Sequence, residues 1–341
     1  MEIKDFICER IFKKETQGLS KAVSEHFGIS RQAAQKRIKK LVDAGVLEMS
    51  GATNAAKYAL VPLVDKSISF KLTSEMTEDD IWRTFIRPEL GDMPRNVLSI
   101  CGHGFTEMFN NVIDHSGGSV VMVSILKTAY HVEIMVEDDG IGIFNKIRND
   151  FGLDDERHAI LELSKGKLTS DPTRHSGEGI FFTSRMFDSF VIMSGKQFFS
   201  HTLEHDDWLL DTEEDKKGTV VLMEIRLDSK RTTREVFEEY STVDHPGFYK
   251  THIPVALAQY GDENMISRSQ AKRVLARVEK FTEVILDFKG VSEVGQAFVD
   301  EIFRVFALSH PDVHLFHINA NESIEWMIRR ALVSNASGFS V

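Results

Sequence analysis

At 341 residues and 42% hydrophobic content, the chain has apolar mass for two or three ordinary domains and no long stretch of disordered composition. A formal net charge of −11 excludes a protein that coats nucleic acid or membrane over its whole surface, while leaving room for a local basic patch. Cys8 and Cys101 stand far apart without metal-ligand spacing, the charged opening MEIKDFICERIFKK is no signal peptide, and no apolar run reaches membrane-spanning length, so a reduced cytoplasmic setting is expected.

Residues 1–62 read as three helices and a short hairpin. Ile3, Phe6, Ile7 and Ile11 form the stripe of the first helix, and Ser20 is placed to cap a second one carrying Val23 and Phe27. Gly28-Ile29-Ser30 makes a tight turn, with Ser30 as cap for RQAAQKRIKKLVDAG. There Ala34, Ile38, Leu41 and Val42 face inward and Arg31, Gln32, Gln35, Lys36, Lys39 and Lys40 face out. This pattern resembles a winged helix-turn-helix, with Val46–Met49 and Lys57–Val61 as wing strands around Gly51-Ala52-Thr53-Asn54. The resemblance implies a helix that enters the major groove with Arg31, Gln32, Gln35 and Lys36 at base edges. Eleven Lys and Arg against seven Asp and Glu through residue 62 give a local +4, which favours DNA as partner over a generic three-helix module.

From residue 63 to about 230 the pattern is that of an α/β layer. Asp65–Leu72 reads as an added strand, and Glu78–Ile86 as a helix around Trp82 and Phe85. A helix after Pro94 carries Phe105, Met108, Phe109, Val112 and Ile113 on one face. Glu107 and Asn111 are stacked one turn apart on that helix. The runs SVVMVSILK and YHVEIMVED read as a strand pair, the second delivering Asp138 and Asp139 into the turn Gly140-Ile141-Gly142, where backbone can approach a ligand. Gly177-Glu178-Gly179 opens a helix whose Phe181, Phe182, Met186 and Phe187 read as core. VIMSGKQFFSHTLEHDDWLL gives two strands, and Lys217-Gly218-Thr219 leads into VVLMEI to close a mixed sheet.

Glu107-x-x-x-Asn111 resembles the N box of the GHKL ATPases, Asp138-x-Gly140-x-Gly142 their first glycine box, Gly177-Glu178-Gly179 the second, and Thr219 their terminal strand threonine. Four weak patterns in the family's order make a specific signature. The resemblance implies a Bergerat-type α/β sandwich that binds ATP and Mg2+. Glu107 would be the general base that activates water or a hydroxyl, and Asn111 the magnesium ligand. Asp138, assisted by Thr219, would take the adenine amino group. Gly140 and Gly142 would line base and ribose, and Gly177 and Gly179 would turn the chain into a helix facing the phosphates. Phe144–Ser176 would be the lid, with Lys165, Lys167, Arg174 and His175 as candidates to reach phosphate and solvent exposure as their ordinary alternative.

After a linker at 231–252, residues 253–341 alternate strand and helix, as in a small α/β layer fold. VILDF, followed by Lys289-Gly290-Val291 and a helix, resembles a STAS domain, which implies a protein-interaction or signal-sensing module. The family's phosphorylated hydroxyl is missing from Glu293–Phe298, and Ser292 sits in the loop before it. The whole is expected to be a multidomain α+β protein and, by the habit of the GHKL family, a homodimer. Its expected activity is slow magnesium-dependent ATP hydrolysis that controls DNA binding or partner assembly. The alternative is a serine kinase like those that act on separate STAS partners.

Overall fold

The computed structural model describes residues 2–51, 56–169, 177–203, 208–241, 247–259 and 264–336. It is a mixed α/β molecule with three separate sheets.

The first unit is α1 (Ile3–Phe12), α2 (Leu19–Phe27), α3 (Arg31–Asp43) and the hairpin of β1 (Leu47–Ser50) and β2 (Lys57–Leu60). Phe6, Ile7, Ile11, Leu19, Val23, Ala34, Ile38 and Leu47 form a core of its own. Ser30 caps α3, accepting from the Ala33 amide at 3.1 Å. Ser20 is not a cap: α2 begins one residue earlier, after Gly18 in the left-handed region at φ 63°. Of the expected wing turn, Ala52, Thr53 and Asn54 lie outside the described residues.

The central sheet has the order β3-β4-β5-β7-β6, formed by β3 (Val64–Lys71), β4 (Val120–Lys127), β5 (His131–Asp138), β6 (Ser189–Thr202) and β7 (Trp208–Arg226). Every pairing is antiparallel, so the expected mixed sheet is corrected. The cause is connectivity: β4–β5 and β6–β7 are consecutive antiparallel pairs, and β7 returns between β5 and β6. Alternation places Val121, Val123 and Ile125 of β4, and Val132, Ile134 and Val136 of β5, in the core. Against this face lies α6 (Arg95–His115), whose Phe105, Met108, Phe109 and Val112 are buried. α4 (Glu78–Ile81), a π turn (Trp82–Ile86) and α5 (Arg87–Leu90) precede it, while α7 (Ile143–Phe151), α8 (Glu156–Lys165) and α9 (Gly179–Met186) fill the connection between β5 and β6.

The stretch read as a linker, 231–252, carries a helix and the start of a strand among its described residues. Thr232 and Glu235 form a capping box for α10 (Thr233–Tyr240), which buries Val236 and Tyr240. Phe248 then stacks among Phe181, Phe182 and Phe281, at ring-centroid distances of 4.5, 5.0 and 5.1 Å. Beyond it, β8 (Lys250–Pro254), α11 (Arg268–Leu275), β9 (Glu283–Asp287), α12 (Gln296–Asp300), a π turn (Glu301–Phe306), α13 (Ala307–Ser309), β10 (His314–Ile318) and α14 (Glu322–Ala336) make a parallel sheet of order β10-β9-β8 with helical crossovers. Its core is continuous with that of the central sheet.

Candidate functional site

A cavity of about 520 Å3 opens between α6, α7, the end of β5, the middle of β7 and the start of α9. Glu107, Asn111, Asp138, Gly142, Gly177, Gly179 and Thr219 all line it, although they come from five places in the chain. Gly140 does not. It lies behind the wall, where its amide donates to Asp138 Oδ1 at 2.8 Å and an added Cβ would run into the Ser116 carbonyl.

The end of β5, paired with the middle of β7, sets the acidic corner. Asp138 is directly opposite Thr219, and both are buried. Thr219 Oγ1 accepts from the Ile143 amide at 3.0 Å, which ties α7 to the sheet. Burial pushes the Asp138 carboxyl above its ordinary value, against the opposing pull of hydrogen bonds from Gly140 and Thr219. Asp139 has a different task because successive side chains alternate sides. Its Oδ1 accepts from the Ser119 and Val120 amides at 2.7 and 2.9 Å and its Oδ2 from the Ser119 hydroxyl at 2.8 Å, and these bonds hold it down to about 2.

On α6 the 3.6-residue period aims Glu107 and Asn111 into the cavity while their apolar neighbours face the sheet. The Nδ2 of Asn111 is buried with no hydrogen-bond partner. A buried polar donor of this kind has its bonding completed by a water or a ligand atom. The first residue of α9, Gly179, lies against Glu107 so closely that a Cβ there would overlap Oε2. Gly177, at φ 72°, accepts at its carbonyl from the Leu168 amide at 3.2 Å.

Sequence reading missed Lys146 and Asp150, which face the cavity from α7 and pair at 2.9 Å. The signal was present: Ile143, Lys146, Ile147, Asp150 and Phe151 recur at the spacing of one helical face. The lid lysines are also corrected. Lys165 is buried and points away from the cavity, donating to Glu162 Oε1 at 2.7 Å and to the carbonyls of Arg273 and Ala276, each at 2.9 Å. Lys167 donates to the Lys280 carbonyl at 2.8 Å and lies over the Phe281 ring. Arg174 and His175 lie outside the described residues.

In the first unit Arg31, Gln32, Gln35, Lys36, Lys39 and Lys40 are all exposed on α3, joined by Arg37. Among the described residues no cluster of three or more His, Cys, Asp or Glu side chains is placed to hold a metal, and no helix is long and apolar enough to cross a membrane. Cys8 and Cys101 are free and buried.

Residues 270–325 match the family described as STAS-like domain of unknown function (DUF4325). No curated protein matches the chain. The match runs from within α11 to the start of α14, so β9, β10 and the helices between them lie in a STAS-like domain, and β8 precedes the matched residues.

Proposed function

We propose that the cavity binds ATP with Mg2+, that the chain hydrolyses it slowly in the manner of the GHKL ATPases it resembles, and that nucleotide state governs what the outer units bind. The carrying observation is the convergence of Glu107, Asn111, Asp138, Thr219 and the glycine pair on one cavity, with the Asn111 amide left unsatisfied inside it.

The volume suits a small molecule of nucleotide size. Asp138, fixed by Gly140 and Thr219, offers a carboxylate oxygen to an exocyclic amino group in a dry corner, a contact that discriminates strongly because its loss leaves a buried charge unpaired. Asn111 offers a hard oxygen for magnesium and an amide N–H for a phosphate oxygen. Glu107, Asp114, Asp138 and Asp150 outnumber Lys146 on the cavity wall, so a polyphosphate is favoured only together with its cation. Magnesium would neutralise phosphate charge and polarise the bond to be broken. Glu107 would take a proton from the attacking water, its carboxylate lying close against Gly179.

The first unit is proposed to bind DNA through α3 as a winged helix-turn-helix does, with Arg31, Gln32, Gln35 and Lys36 toward bases and Lys39 and Lys40 toward phosphates. The STAS-like domain is proposed to bind a protein partner, and a homodimer is the assembly proposed.

The test is γ-labelled ATP with magnesium and the whole chain. Free phosphate is expected, and Glu107→Ala should keep calorimetric ATP binding while losing at least about 100-fold in release, the scale of general-base catalysis. Label on protein would favour the serine-kinase alternative, and no binding by the unaltered chain would overturn the reading.

A further inference from the structure

The cavity wall formed by α7 and α8 is held from outside by the STAS-like domain. Leu163 of α8 faces the cavity, while Glu162 and Lys165, on the opposite side of the helix, are each only 1% exposed. Lys165 uses its three donors on Glu162 and on the carbonyls of Arg273 and Ala276, at the end of α11. Thr251 Oγ1 of β8 donates to the Lys165 carbonyl at 2.7 Å. The remaining oxygen of Glu162 accepts from Arg277 at 2.6 Å. Arg277 also sits 4.6 Å over the ring of Phe151, a residue that lines the cavity at the end of α7. One guanidinium therefore touches both helices of the wall.

The backbone of Arg277 is left-handed, at φ 62°. That conformation is unfavourable for a long side chain and persists only where the surroundings impose it. Burial alone would raise the Glu162 carboxyl, but nearby His158 and the bonded cations Lys165 and Arg277 hold it down to about 2. A carboxylate kept ionised in a dry interface makes the pair all-or-none: removing one partner leaves an uncompensated charge.

We propose that Arg277 is a positioning residue of the nucleotide cavity, supplied by the STAS-like domain and acting through Phe151 and Glu162. Cavity occupancy and the seating of that domain are then linked. This rests on the nucleotide reading above. Linkage is reciprocal: ATP that favours the closed wall also favours the docked domain, and a partner that draws the domain away weakens ATP binding by the same factor.

The experiment compares the whole chain with Arg277→Ala and Arg277→Lys, by calorimetry with Mg-ATP and by hydrogen exchange with and without nucleotide. In the unaltered chain, nucleotide should slow exchange both at the cavity and in residues 268–281. Arg277→Ala should raise Kd about tenfold, within the usual span of coupling energies, and confine the protection to the cavity. Arg277→Lys should recover part of the loss, because it keeps a charge for Glu162 and gives up the planar stack. Unchanged Kd and protection in Arg277→Ala overturn the proposal. If Arg277→Ala does not fold, Arg277→Lys decides by the same two readouts. If the unaltered chain binds no nucleotide, the nucleotide reading falls with the linkage. Exchange in nucleotide-free protein then decides the positioning: faster exchange of α7 and α8 in the variant supports it, and an unchanged rate overturns it.

Discussion

Gly179 and Gly218 are both too crowded for a side chain, but a methyl group would act in opposite ways at the two positions. At Gly218 the obstacle is the Asp138 backbone carbonyl, and φ is 72°, so Gly218→Ala should destabilise the protein by about 1–3 kcal/mol, measured by chemical denaturation. At Gly179 the obstacle is the mobile end of Glu107, and the position opens a helix. Gly179→Ala should leave the melting temperature unchanged or slightly higher, since alanine favours helix, while ATP turnover falls at least about tenfold as the carboxylate is displaced. Equal turnover in this variant would mean that Glu107 is not held by that contact. These residues were legible because each sits in a short local pattern that fixes its direction. The helical period joined Glu107 to Asn111, and the resemblance to the glycine box singled out Asp138 beside Asp139. Arg277 was not legible, since its partners Phe151 and Glu162 lie more than a hundred positions away and no spacing reports such a contact.

Among the elements, β5 and β7 run in register from His131 opposite Arg226 to Asp138 opposite Thr219. The pair spans about 23 Å at the usual rise per residue, with the cavity at one end and the first unit at the other. Phe12 of α1 lies 5.5 Å from the ring of Tyr130 and 4.7 Å from that of His131, and Arg226 approaches Glu9 at 3.9 Å. His131 is buried, with Nδ1 2.9 Å from Thr128 Oγ1, and burial lowers its pKa to about 4. Protonation therefore favours the unfolded chain, where the ordinary value of 6.5 returns. The stability this neutral ring contributes is complete above pH 6.5 and lost as pH falls toward 4. Melting temperature should drop across that window more steeply in the unaltered protein than in His131→Asn, and parallel curves would refute the assignment. Most elements could be read from apolar period and caps, as Ser30 shows. α10 was missed despite its Thr-x-x-Glu box, because a short polar stretch between two stronger patterns reads as a connector until Val236 and Tyr240 are seen to be buried.

At the scale of the whole molecule, charge divides the labour. A chain of −11 carries its positive excess in the first unit, on an α3 whose Arg and Lys side chains are exposed. Electrophoretic shift should show DNA binding that weakens steeply with salt, and Arg31→Ala/Lys36→Ala should weaken it and flatten the dependence by roughly one to two counter-ions. Equal binding by both forms would remove DNA from the reading. The three-sheet plan was foreseeable from the order of patterns; the shared interior of the central sheet and the STAS-like domain was not, since sequence separates what packing joins.

The burial of Lys165 carries a consequence for how the chain is made. During synthesis α8 emerges well before residues 250–280, and until those arrive the Lys165 ammonium lacks the Arg273 and Ala276 carbonyls, the Glu162 carboxylate lacks Arg277, and Phe181 and Phe182 lack the ring of Phe248. A polypeptide stopped near residue 230 would keep that unfinished surface permanently. Such a fragment should clump and be degraded, since residues 248–280 act as a fold-completing cover for the central unit.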